Sequence, residues 1–103
     1  MLRLVGATAV LLLNANPKRT RVRITMQPSS VDATNTGLVH LGFGFQPVAT
    51  VGHQSQGFIL LQASILEEPV GGAKITSYFK QAVWSIASAA NQSVLVEEET
   101  EEV

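Results

Sequence analysis

The sequence predicts an all-β chain that folds as one antiparallel β-sandwich, jelly-roll or immunoglobulin-like, with seven to eight short strands. In the stretch 20–27, Val22, Ile24 and Met26 alternate with polar residues, which is the pattern of a half-buried strand. Turn signals rich in proline, glycine and asparagine separate such stretches about every 8–12 residues, as in a sandwich. A chain of 103 residues supports one core and leaves no room for a second.

The predicted strands follow from these alternations. The apolar start of the chain is interpreted as a strand, because it is far shorter than the about 20 apolar residues that cross a bilayer. The alanine-rich stretch 82–90 is predicted as a strand rather than a helix because Trp84 and Ile86 alternate with smaller residues, and Trp84 is expected in the core. We expect the sandwich to occupy residues 1–98 and an acidic tail to occupy residues 99–103. The strands are predicted at 7–13, 19–27, 37–45, 57–66, 73–79, 81–88 and 93–98, with an eighth candidate near 48–52.

The side chains that carry most enzyme chemistry are scarce. The chain has no cysteine and only two histidines, His40 and His53, which lie in separate elements. His40 falls on the polar face of a predicted strand and is expected at the surface. Asp32 is the single aspartate, whereas a serine triad needs a base held by an acid. We therefore expect a protein that is not an enzyme, with no catalytic residue, metal site, cofactor or small-molecule substrate.

The charges are few and unevenly placed. Charged residues make up 15% of the chain, below the roughly 25% of soluble domains, which favours a surface partly covered by neighbours. Residues 1–60 hold five basic side chains and one acidic one, and residues 61–103 hold two basic and seven acidic. This separation predicts either head-to-tail pairing of copies or a solvated acidic tail beside an ordinary basic strand. A pI near 6.1 disfavours nucleic acid as a partner, and no membrane partner is expected.

Basic, apolar and acidic segments supply the candidate protein-interface residues. The basic ones lie on the second predicted strand, the apolar ones in the stretch 57–66, and the acidic ones near the end of the chain. They are Arg19, Arg21, Arg23, Phe58, Leu60, Glu97, Glu98 and Glu99.

Four segments also resemble a known family, the small β-sandwich structural proteins of tailed bacteriophages. The segments are Thr8-Ala9-Val10-Leu11-Leu12-Leu13-Asn14-Ala15-Asn16-Pro17-Lys18-Arg19, Val39-His40-Leu41-Gly42-Phe43-Gly44, Gln81-Ala82-Val83-Trp84-Ser85-Ile86-Ala87 and Val94-Leu95-Val96-Glu97-Glu98. The middle of the chain departs from the family pattern, since Glu68-Pro69-Val70-Gly71-Gly72 stands where members carry a Pro-Gly-Gly turn.

The resemblance implies a non-enzymatic virion protein, of the capsid decoration (cement), head-fibre or tail-appendage type. The expected role is a decoration subunit that binds the outer capsid surface and stabilises neighbouring capsid subunits. Its expected partners are the major capsid protein and further copies of the chain, with a trimer favoured, and its expected location is the capsid surface of the virion. Two alternatives remain open, a tail-fibre or receptor-binding module and a cellular β-sandwich that binds other proteins.

Overall fold

The computed structural model describes residues 1–68 and 78–101. In this part of the chain, eight antiparallel strands form two four-stranded sheets, and one short 3-10 helix, Tyr78–Lys80, precedes the seventh strand. The predicted all-β sandwich is confirmed. The strands are β1 (Leu2–Val5), β2 (Val10–Leu13), β3 (Arg19–Met26), β4 (Val39–Phe43), β5 (Phe58–Leu60), β6 (Ser64–Glu68), β7 (Val83–Ala87) and β8 (Gln92–Thr100).

The strand order is that of a jelly roll. Strands pair from the outside of the sequence inward, β1 with β8, β2 with β7, β3 with β6 and β4 with β5. This nested hairpin then wraps so that β3 also pairs with β8 and β4 with β7. The result is a first sheet of order β1-β8-β3-β6 and a second sheet of order β2-β7-β4-β5, the two-sheet arrangement of a jelly roll.

Two predicted strands are each replaced by a pair with a turn or a change of sheet between them. The predicted strand 57–66 is β5 and β6, because Ser64 N–H donates to the carbonyl of Leu61 and Ala63 adopts a positive φ of 61°. The apolar start is β1 and β2, which lie in different sheets. Residues 48–52 form no strand. The strand predicted at 73–79 lies outside the described residues, except where Tyr78–Lys80 begins as a 3-10 helix.

Alternation along the strands builds one core between the sheets. Val22, Ile24 and Met26 of β3 are all fully buried, as predicted. In β7 it is Val83, Ser85 and Ala87 that face inward, whereas Trp84 is half-buried on the opposite face. The expectation that Trp84 lies in the core is therefore wrong. The core comprises Val5, Leu12, Leu13, Val22, Ile24, Met26, Val39, Leu41, Phe43, Leu60, Phe79, Val83, Ala87, Val94 and Val96.

Candidate functional site

The outer face of the first sheet carries a row of apolar side chains. From Val22 onward, β3 buries its even-numbered side chains, so the odd-numbered ones from Arg21 to Thr25 face outward together with their cross-strand partners. Thr25 lies opposite Leu95 on one side and Ile65 on the other, and Leu2 lies opposite Leu95. Leu2 is 65% exposed and Ile65 is 53% exposed. We call Leu2, Leu95, Thr25 and Ile65 the apolar row; it crosses all four strands of the sheet.

A cluster of opposite charges adjoins the apolar row on the same face. Arg23 lies opposite Glu97 on β8 and opposite Glu67 on β6. The Arg21 Nη1 atom lies 3.4 Å from Glu67 Oε1 and 3.9 Å from Glu99 Oε1. We call Arg21, Arg23, Glu67, Glu97 and Glu99 the charged cluster. A groove of about 120 Å³ lies among these side chains and Glu98.

The charged cluster shows where the separated charges of the sequence meet in the folded chain. The basic strand β3 and the acidic strand β8 are neighbours in one sheet, so their charges meet within the chain. Exposed ion pairs of this kind contribute at most about 1 kcal/mol each. The structure brings together four predicted interface residues, Arg21, Arg23, Glu97 and Glu99, and adds Glu67. β8 runs to Thr100, so Glu99 belongs to the sheet.

Arg19 was predicted as an interface residue, and the structure contradicts this, since the side chain is fully buried. A register shift between Arg19 and Arg21 inserts an extra residue into β3, which turns Arg19 away from the face that carries Arg21. Its Nε donates to Glu98 Oε2 at 2.8 Å, and its Nη1 donates to the carbonyls of Phe79 (2.7 Å) and Gln81 (2.9 Å).

Arg19 therefore links several segments of the chain. Its Nη2 donates to the carbonyl of Asn14 at 2.7 Å, so one guanidinium joins the start of β3 to β8, to the 3-10 helix and to the end of β2. Glu98 lies opposite the buried Val22, on the core side of its strand. The role of both residues is internal, and Glu98 also borders the groove with 32% of its side chain exposed.

The two apolar interface candidates differ in burial. Phe58 is 44% exposed and packs edge-to-face on Phe43, with ring centroids 5.8 Å apart. Leu60 is 3% exposed and belongs to the core. Leu60 is therefore not available to a partner, and its prediction as an interface residue is wrong. An apolar run without alternation could not distinguish the inward side chain from the exposed one.

On the outer face of the second sheet, strand β4 is covered by the chain itself. The loop 44–57 turns back over β4, and a Cβ placed on Gly42 would collide with the carbonyl oxygen of Phe45 and approach Pro47 Cδ to 3.1 Å. Val48 N–H donates to the carbonyl of Ser55 at 2.9 Å, which closes the loop on itself. Gly42 thus allows the close approach of loop and strand.

His40 lies beneath this loop and is fully buried, so the prediction that it lies at the surface is wrong. The face appeared polar because alternation along the strand does not show that the loop directly after it folds back over it. His40 Nδ1 donates to the carbonyl of Gln56 across 2.9 Å. Its Nε2 is buried and has no hydrogen-bond partner among the described residues.

A second loop, 27–38, is held to the start of β8 by a polar network. Asn35 is buried and its Oδ1 accepts from Ser93 N–H at 2.7 Å, while Gln92 Oε1 accepts from the N–H groups of Thr36 and Gly37. Asp32 accepts hydrogen bonds from the Ser93 and Thr34 hydroxyls. These bonds lower the pKa of Asp32 below its ordinary value of 3.8, and the bond from Ser93 has the largest effect. The network fixes the loop at one end of the apolar row.

The described residues contain no group of three or more histidine, cysteine, aspartate or glutamate side chains placed to hold a metal ion. Within the same residues, no helix has the length and apolar character needed to cross a membrane. Comparison of the chain with protein-family models, with curated proteins and with solved structures finds no significant match. The outer face of the first sheet, which carries the apolar row and the charged cluster, is the candidate functional site.

Proposed function

We propose that the chain is a non-enzymatic structural subunit of a virus particle, a capsid decoration protein that binds the outer capsid surface through the outer face of its first sheet. The observation that carries this proposal is the apolar row beside the charged cluster. In the described part of the chain, Leu2 and Ile65 remain more than half exposed. Contiguous exposed apolar side chains bordered by charges are typical of protein-binding surfaces.

The two parts of this face have different roles in the proposal. The apolar row supplies affinity, because burying apolar area gains about 25 cal/mol for each Å². The charged cluster is largely neutralised within the chain, and it sets register and partner choice more than affinity. A standard interface buries about 800 Å² on each partner. Many copies bound side by side on one particle make a modest single contact sufficient.

The virion assignment is supported by the fold together with the resemblance of four segments to phage structural proteins. Jelly rolls occur in viral capsid proteins and also in lectins and cupins, so the fold alone does not select the role. In the proposed role, the major capsid protein and further copies of the chain are the partners, and the capsid surface is the location. The decoration subunit stabilises the particle by bridging neighbouring capsid subunits.

The experiment is co-sedimentation with capsids. Where a major capsid protein is encoded near the gene for this chain, capsids are assembled from it, and purified chain is added over a range of concentrations. We expect the chain to pellet with the capsids and to saturate at a fixed ratio to capsid subunits. Capsids carrying saturating chain should resist heat better than bare capsids. Chain that stays in the supernatant at every concentration would contradict the proposal, and chain that pellets only with tails or host cells would support a receptor-binding module instead.

A further inference from the structure

We propose that two copies of the chain associate about a two-fold axis by antiparallel pairing of β1 with β1, which joins their first sheets into one. The inference replaces the trimer that the resemblance favours with a two-fold pair, names the edge that forms it, and does not depend on the capsid role. Strand β1 lies at the edge of the first sheet with β8 on one side. Among the described residues, no strand pairs with its other side.

The hydrogen bonds to β8 fix which backbone groups of β1 point outward. Met1 N–H donates to the carbonyl of Val96 at 2.9 Å, and Val96 N–H donates to the carbonyl of Met1 at 2.8 Å. Antiparallel pairs alternate between bonded and non-bonded, so Arg3 and Val5 also face β8. Leu2 and Leu4 therefore direct their N–H and C=O groups to the free edge, ready to pair with another strand.

The four edge strands of the sandwich differ in how they are protected against such pairing. Strand β2 has a register shift between Leu11 and Leu13, β5 is three residues long, and β6 carries Glu67 and Glu68. Bulges, short strands and charges are the usual devices that block edge pairing. Strand β1 keeps a regular register along its four residues, exposes Leu2 and Leu4, and carries one charged side chain, Arg3, at a position whose backbone groups face β8. It is the edge that the chain leaves open.

A second copy fits this edge because the strand is complementary to itself. A two-fold axis perpendicular to the sheet makes the added strand antiparallel, as every pair in the first sheet already is. It brings Leu2 and Leu4, which are 65% and 64% exposed, beside the same residues of the partner. With Leu2 of each copy bonded to Leu4 of the other, the two apolar rows lie side by side, offset by two residues and joined through Leu4. Arg3 of each copy lies near its counterpart, so salt should tighten the pair.

The first test is self-association of the untagged chain by sedimentation equilibrium, with Leu4→Pro as the variant. Proline removes the Leu4 N–H, which points to the free edge, and leaves the ladder to β8 intact. We expect wild type to approach the mass of two chains and to tighten with salt, and Leu4→Pro to associate at least tenfold more weakly with similar thermal stability. A monomer at all concentrations, or a mass of three chains, would overturn the two-fold pairing.

The second test does not require proline to be tolerated. Because the chain has no cysteine, Leu2→Cys with Leu4→Cys places thiols only on β1. Bonded antiparallel pairs hold their Cα atoms about 5.5 Å apart, within the range of a disulfide. We expect mild oxidation to give a covalent dimer. Val51→Cys, 63% exposed in the loop 44–57, is the control and should stay monomeric. Equal cross-linking of both would contradict the proposal, even if capsid binding were observed.

Discussion

The two sheets of this jelly roll differ in what lies on their outer faces. On the second sheet, the loop 44–57 packs on Gly42 and buries His40, so that face contributes to the stability of the chain. On the first sheet, Ile65 and Leu2 stay exposed in the described structure. The difference is that the chain covers β4 of the second sheet with its own loop, whereas the exposed apolar side chains of the first sheet supply the surface that we propose for association.

Strand β3 shows the same difference between two residues of one type. Arg19 is fully buried and is held by Glu98 and three backbone carbonyls. Arg21, two positions later, has a side chain that is 49% exposed and forms long ion pairs. The extra residue between them places the Arg19 side chain inside the protein and the Arg21 side chain at the surface.

The largest expected effect is on Arg19. Arg19→Met keeps most of the volume but removes the charge and leaves Glu98 and the carbonyls without their donor, so we expect the free energy of unfolding to fall by about 3–5 kcal/mol. Arg21→Met should cost less than about 1 kcal/mol. Urea unfolding followed by tryptophan fluorescence measures both. Equal losses for the two variants would contradict the assignment of separate roles.

The next effect tests the cover of the second sheet. Gly42→Ala forces the backbone of Phe45 away from the strand, and we expect a loss of about 1–3 kcal/mol together with faster proteolysis within the loop 44–57. Gly6→Ala is the matched control, since nothing lies within 4 Å of a Cβ placed there. It should change stability by less than about 0.5 kcal/mol. If Gly42→Ala were equally harmless, the loop would not be packed on the sheet.

A smaller effect is expected in the charged cluster. Arg21→Glu with Arg23→Glu places like charges beside Glu67, Glu97 and Glu99, and we expect a loss of about 1–2 kcal/mol at low salt. The loss should largely disappear at 1 M salt, where the screening length is about 3 Å. Lys18→Glu, at an exposed position outside the cluster, serves as the control. The double arginine variant should also bind capsids more weakly than wild type. If its loss of stability did not depend on salt, the arginines would act through packing instead of through charge.

The smallest effect concerns Asp32. Its hydrogen bonds from Ser93 and Thr34 lower its pKa in the folded state, so its contribution to stability is present above the unfolded pKa near 3.8. That contribution is lost as the pH falls through the lower folded value. We expect Asp32→Asn to unfold at a slightly lower temperature than wild type at pH 7, and the two to converge in acid. If the difference in unfolding temperature between wild type and Asp32→Asn grew toward low pH, the proposed effect of the lowered pKa would be contradicted.

Sequence patterning predicted much of the fold because the alternation in β3 from Val22 to Met26 reflects burial directly. It missed the division of 57–66 into two strands, since Ala63 rather than glycine occupies the left-handed position. It placed Arg19 at the surface because a bulge leaves no local signal. It placed His40 at the surface because alternation along β4 does not reveal that the loop after the strand folds back over it. The apolar row was missed for a similar reason: Leu2, Leu95 and Ile65 become neighbours only through strand pairing.

Capsid binding by two matched variants tests the central claim most directly. Leu95→Asn with Ile65→Asn makes the apolar row polar without touching the free edge of β1, and Val51→Asn makes an equally exposed position polar over the second sheet. If the first sheet binds the capsid, the row variant should lose at least about tenfold in affinity, roughly 1.4 kcal/mol, and Val51→Asn should bind like wild type. Unchanged binding of a folded row variant, or an equal loss for Val51→Asn, would contradict the account.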